Sequence, residues 1–332
     1  MSICEKSQQR QTTKSESMEG RFTRPSIPAR IQQEKRASKF YFVITLIPII
    51  LLVIIIVALI VKSWPILQKY PLKDLLLGEI WKPQKGQFGF LPFIAGTFWV
   101  TLVALVFAVP PSIFTAIYLS EYARKATQAI AKPMLDLLAA IPSVVYGVWG
   151  LLAIVPLIGK HVSPFFEKYL GFIPFFTSKN PTGYGILAGG IVLAVMILPF
   201  IIAITYEVLS VVPQDARQAS LALGATRWHT VVHVVLPQVG PGIGAGVVLG
   251  ASRAMGETMA VLMVVGNVAN IPHSIFDSAY PLAALIANNY GDMMSIPLYD
   301  AALMSVALML LVIILIFNII STLILKGFLR HP

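Results

Sequence analysis

The 332-residue sequence has a single cysteine, Cys4. One thiol allows no disulfide within the chain and no cysteine-based metal site. Charge is scarce as well: Asp, Glu, Lys and Arg make up 12% of the residues, against about 25% in an ordinary soluble domain. No G-x-x-x-x-G-K-[ST] phosphate loop occurs, because the one Gly-Lys pair, Gly159-Lys160, lacks both the upstream glycine and the following Ser or Thr. ATP hydrolysis on this chain is therefore not expected. His229 and His233 are four apart but outside an H-E-x-x-H frame, and they read as surface histidines rather than metal ligands. Gly240, Gly242, Gly244 and Gly246 have the wrong spacing for a dinucleotide loop and suit helix packing instead. With no nucleophile set, no metal set and no cofactor motif, the sequence does not read as an enzyme.

What is abundant is apolar surface, at 57% of residues. Runs of about 20 apolar residues mark helices that cross a bilayer. Six are expected, at 40–61, 94–119, 134–158, 183–206, 239–266 and 301–325. The fold class is an all-α integral membrane bundle embedded in lipid. Pro110-Pro111 and Pro199 lie inside the second and fourth spans. Proline there kinks the helix and needs neighbours to satisfy freed carbonyls, which points to a packed bundle. Residues 1–39, rich in Ser, Gln, Thr, Lys and Arg, read as a disordered basic tail, and not as a cleavable signal. A first span and outer loop (40–93), a transmembrane domain (94–325) and a short C-terminus (326–332) follow.

The net charge of +10 suggests nucleic acid at first sight, but its distribution fits the positive-inside rule better. With both termini in the cytoplasm, the inner segments hold sixteen of the 25 Lys and Arg residues and the outer segments eight. The last outer loop, 267–300, carries Asp277, Asp292 and Asp300 and no Lys or Arg. The chain is thus expected in the plasma (inner) membrane with both termini cytoplasmic.

Two segments carry function. The cytoplasmic loop 207–238 reads EVLSVVPQDARQASLALGATRWHTVVHVVLPQ. It is expected to form a short helix after Pro213, a turn at Gly224 and a second short helix toward Leu236-Pro237. In the fifth span, Arg253 and Glu257 lie in an otherwise apolar run. Each charge at bilayer depth costs roughly 2.5–3.5 kcal/mol on insertion scales. Four residues apart, they are expected on one helix face, continuous with Gly242, Gly246 and Gly250. Either they form an internal salt bridge, or they line a substrate path, where the planar arginine fork suits an oxyanion. Ser143, Tyr146 and Thr258 are further candidates for that path. Asp136, Glu121 and Glu207 read as helix-end charges, and Asn318 as a bond between helices.

Gln218-Ala219-Ser220, three residues, Gly224, nine residues, then Val234-x-Leu236-Pro237 resembles the EAA loop of ABC importer permeases, whose pattern is EAA-x3-G-x9-I-x-L-P. Gln218, Ser220 and Val234 depart from it, while the glycine, the Leu-Pro pair and the spacing hold. The runs GTFWVTLVAL at 96–105 and AIYLSEY at 116–122 are similar to the opening span of that permease fold, and DLLAAIPSVVYG at 136–147 and RAMGETMAV at 253–261 to its phosphate-specific branch. The resemblance implies a type I, MetI-like permease bundle whose 213–224 helix docks on a separate ATPase. It also implies ATPase subunits, a sister permease and an external phosphate-binding protein as partners, with no cofactor. Permeases for another oxyanion, such as sulfate or molybdate, and an ion-coupled secondary transporter are the alternatives.

Overall fold

The computed structural model describes residues 27–177, 182–291, 296 and 298–329. The chain divides into two units, residues 1–58 and 59–332. In the first, helix α1 (Ile27–Lys69, which continues into the second unit) exposes Phe40, Ile47, Leu51 and Ile54. A helix apolar on all sides suits lipid, in which backbone donors and acceptors must be paired within the segment. The expectation of a disordered tail to residue 39 needs correction, because residues 27–39 are helical. Pro28 sits in the first turn, where its missing N–H costs nothing. The Gln, Glu, Lys, Arg and Ala residues after it are good helix formers. Residues 1–26, with Cys4, lie outside the described residues.

The second unit opens with α2 (Leu72–Leu77) and a hairpin of β1 (Trp81–Lys82) and β2 (Gln87–Phe88). Then come α3 (Leu91–Tyr122), α4 (Lys125–Ala140), α5 (Ser143–Leu170) and α6 (Ile186–Ser210). They are followed by α7 (Gln214–Ala222), α8 (Arg227–Met255), α9 (Met259–Val264), α10 (Leu282–Asn289) and α11 (Tyr299–Leu329). Among the described residues six helices are long and apolar enough to cross a membrane: α1, α3, α5, α6, α8 and α11.

Two spans differ from expectation. The third begins at Ser143 rather than 134, because Pro142 drives Ile141 into an extended conformation (φ −62°, ψ 129°) and separates α4 from the span. It then runs on to Leu170, through Lys160, Glu167 and Lys168. The fifth begins at Arg227 rather than 239, so the second short helix of the loop is the start of the span itself. It ends at Met255 rather than 266. In α5 and α8 three wide helical turns, 150–154, 158–162 and 231–235, each end two residues before a proline: Pro156, Pro164 and Pro237. A proline ring clashes with the carbonyl one turn back, and a wider turn relieves that clash without ending the helix.

Helices α3 and α6 run side by side in the same direction, with the Ser112 hydroxyl donating to the Leu198 carbonyl at 3.3 Å. Helix α8 runs antiparallel to α6, and three glycines set that approach. A Cβ at Gly242 would stand 2.4 Å from Val208, at Gly246 2.9 Å from Ile204, and at Gly250 2.8 Å from Ile201. In lipid no hydrophobic effect drives helices together, so small residues that admit close backbone contact do much of the packing. Ser252 on α8 donates to Asn318 on α11 at 2.9 Å, the cross-helix bond expected of Asn318.

The apolar interior has three parts. A central cluster includes Val100, Val192, Leu193, Ile197 and Val264. A second, at the end where α6 begins, gathers Phe88, Phe93, Tyr280, Leu285 and Tyr299. A third, at the α7 end, joins Ile117, Ile202, Leu209 and Val235.

Candidate functional site

The site is built around a gap in the backbone. Helix α8 tightens at its last turn, where the Glu257 N–H donates to the Ala254 carbonyl at 3.3 Å. It ends at Met255. Gly256, Glu257 and Thr258 then run outside any helix before α9 starts. The Glu257 carboxylate accepts from the Ala260 N–H at 3.4 Å, the only side-chain acceptor given to the first turn of α9 among the described residues. Helix starts leave donors unpaired, and a carboxylate there is favourable. The Thr258 hydroxyl donates to the Gly256 carbonyl at 3.3 Å.

Contacts along α6 fix the height of this gap. At the start of α6 the Gly185 N–H donates to the Val264 carbonyl at 3.3 Å. Near its other end Gly242 meets Val208. Between them, the Arg253 guanidinium lies over the Phe200 ring at 5.5 Å. Arg253, in the last turn of α8, therefore lies against the middle of α6, and it is exposed in the isolated chain, as are Gly256 and Met259. Irregular backbone at such depth persists only where protein buries it or a water-filled cavity lies against it.

Arg253 and Glu257 do not share the one helix face expected of them. The helix that was to hold both on one face stops between them. Among the described residues the one ion pair is Arg217–Glu121. The glycine stripe faces α6, as close approach requires, while Arg253 has no carboxylate partner among the described residues.

One other candidate run reaches the segment just after the gap. Gly147 on α5 packs on α9, where a Cβ would stand 2.8 Å from the Met263 sulfur and 3.1 Å from the Ala260 Cα. The 136–147 and 253–261 runs thus meet in space. Tyr146 is buried on α5, one residue before Gly147, and its hydroxyl donates to the Leu138 carbonyl at 2.8 Å. Ser143 is half-buried at the first position of α5. Asp136 is exposed on α4, outside the third span.

At the other end of the bundle, α7 closes on a glycine motif. The Gly224 N–H donates to the Leu221 carbonyl at 3.0 Å and the Ala225 N–H to the Ser220 carbonyl at 3.3 Å. Gly224 has φ +86°. This pair of bonds around a left-handed residue is the Schellman termination. Thr226 then caps α8, accepting from the His229 N–H at 3.2 Å. The Ser220 and Thr230 hydroxyls are 2.9 Å apart and tie α7 to α8. Gln218 and Ala219 are exposed. A 550 Å³ hollow lined by Ser220, Leu223, Gly224, Thr226, His229 and His233 opens beside the turn. Leu236 and Pro237 lie inside α8, away from the turn.

Sequence reasoning missed Arg217 and the role of Glu121. Glu121 is not a solvated boundary charge: both side chains are 11% exposed and paired at 2.9 Å. They are 96 residues apart, so no local pattern could have joined them.

Comparison with known proteins agrees with this architecture. The sequence pattern of the family described as "Binding-protein-dependent transport system inner membrane component" matches residues 112–330. The phosphate transport system permease protein PstC of Haemophilus influenzae is 36% identical over 269 residues, 80% of this chain and 84% of that protein. The probable phosphate transport system permease protein PstC of Methanocaldococcus jannaschii is 34% identical over 271 residues, covering 80% and 85%. The probable ABC transporter permease protein YqgH of Bacillus subtilis is 36% identical over 246 residues, 74% of each. Among solved structures, that of a bacterial ABC transporter involved in the import of the acidic polysaccharide alginate superposes with a TM-score of 0.53. It is 15% identical, covers 90% of this chain and 99% of that one, and is similar in fold alone. With its six spans and its helix–glycine–helix loop, the chain belongs to the family of inner membrane components of binding-protein-dependent transport systems.

Proposed function

We propose that this chain is a permease subunit of an ATP-driven importer of inorganic phosphate. It lies in the inner membrane with both termini cytoplasmic. A sister permease completes the path, ATPase subunits dock on α7 around Gln218, Ala219, Ser220 and Gly224, and an external binding protein delivers phosphate. The observation that carries the path assignment is Arg253, an exposed cation near mid-depth beside a break in α8. A lone guanidinium at that depth is costly facing lipid and favourable facing a hydrated anion path. The names of the relatives favour phosphate over another oxyanion. Glu257, held at the start of α9, shapes the break, and Ser143, Tyr146 and Thr258 border it. The broken span is a feature that secondary transporters share, but the glycine-closed α7 favours an external motor.

The test is uptake of labelled phosphate by the complete complex in proteoliposomes, with and without ATP on the α7 side. Uptake should require ATP and the binding protein, and unlabelled sulfate or molybdate should not compete. Uptake that is independent of ATP, or abolished by sulfate, would overturn the assignment.

A further inference from the structure

Helix α7 has a single buried residue, and that residue is Arg217. Short surface helices ordinarily seat an apolar stripe on the core; α7 is seated by a charge. The guanidinium reaches two spans at once. Its Nε lies 3.2 Å from both Glu121 oxygens, and its Nη2 donates to Glu121 Oε1 at 2.9 Å. Nη2 also donates to the Leu209 carbonyl at 2.9 Å, and Nη1 to the Val212 carbonyl. Glu121 lies in the wide turn that ends α3. Leu209 is in the last turn of α6, where its carbonyl also accepts from the Val212 N–H at 3.4 Å. A bidentate fork fixes direction as well as distance, whereas apolar contact would let α7 slide.

We infer that the Arg217–Glu121 pair is the joint that turns displacement of α7 into movement of α3 and α6, a positioning pair for coupled transport. This rests on the reading of α7 as the docking helix for an ATPase. Because α3 and α6 lie side by side in the same direction, one guanidinium holding both ends moves them as a unit. Arg217 also has no equivalent in lysine, whose point charge cannot span Glu121 and two carbonyls in one plane.

The test uses the complete complex with its ATPase and binding protein, comparing wild type with R217K, E121Q and E121D. The readouts are assembly, ATP hydrolysis and phosphate imported per ATP hydrolysed. The variants should assemble and hydrolyse ATP, while phosphate imported per ATP falls roughly tenfold, within the usual span of coupling between sites. E121D keeps the charge but shortens its reach, so it separates geometry from folding. Assembled variants with an unchanged ratio would overturn the inference and leave the phosphate reading standing. Loss of assembly in all three, E121D included, would assign the pair to folding and equally overturn it. Wild-type complex that imports no phosphate with ATP would sink the underlying reading, and the joint with it.

Discussion

Replacing Arg253 with Gln separates a residue that holds the bundle from one that faces the path. The structure gives Arg253 little to hold: it is exposed and, among the described residues, has no carboxylate partner and makes one cation–π contact, with Phe200 at 5.5 Å. Such a contact at an exposed site is worth about 0.5–1 kcal/mol. The loss of stability from Arg253→Gln should therefore stay below about 1 kcal/mol. Transport should suffer more, because a charge-assisted hydrogen bond contributes about 1.5–3 kcal/mol. Lost from the transition state, that is roughly a 10- to 150-fold fall in rate. Glu257→Gln keeps an oxygen for the Ala260 N–H and loses only charge at the start of α9, about 0.3–1 kcal/mol. The assay is the initial rate of phosphate uptake beside the melting temperature of the assembled complex. The exchanged double variant Arg253→Glu/Glu257→Arg should transport no better than Arg253→Gln, since the two residues are not paired. Rescue by the exchange, or a melting temperature that falls in step with uptake, would refute this reasoning.

Three further outcomes follow from the packing. Gly242→Ala puts a methyl group 2.4 Å from Val208 on α6, and should destabilise the α8–α6 contact by about 1–3 kcal/mol; an unchanged melting temperature would count against the close approach. Gly224 has open space around it, so Gly224→Ala costs only the left-handed backbone, about 1–2 kcal/mol. The complex should lose ATPase docking or coupling, with Gly224→Asn milder, and normal coupled transport in Gly224→Ala would remove the turn from the docking account. For orientation, with Cys4 changed to Ser, a membrane-impermeant thiol reagent added outside cells should label Lys85→Cys on the β1–β2 hairpin and not Ala225→Cys. The reverse pattern would invert the topology.

Much of this architecture is legible in hydropathy, because a span must be long and apolar whatever its neighbours. The ends of two spans were not. Ile141-Pro142 and Gly256-Glu257-Thr258 are short interruptions in apolar runs, and a windowed sum passes over both. The chemistry that ends the helices there is local: a proline that excludes helical geometry before it, and a carboxylate that offers the next helix an acceptor. The helix–glycine turn after α7 was readable because Gly224 must adopt a left-handed conformation and spacing carries that demand. Arg217 and Glu121 were not readable, since only the folded α3–α6 pair brings residues 96 apart together. The single helix face expected to carry Arg253 and Glu257 failed for a related reason: helix phase assumes an unbroken helix.

The central claim is that Arg253 faces a water-filled phosphate path through the membrane. It is tested most directly by thiol labelling of Arg253→Cys, with Cys4 changed to Ser, in the assembled complex. The account predicts that a charged, water-soluble reagent modifies this position despite its depth, and that phosphate-loaded binding protein with ATP changes the rate of modification. Labelling only by membrane-soluble reagents, at a rate indifferent to phosphate and ATP, would contradict it.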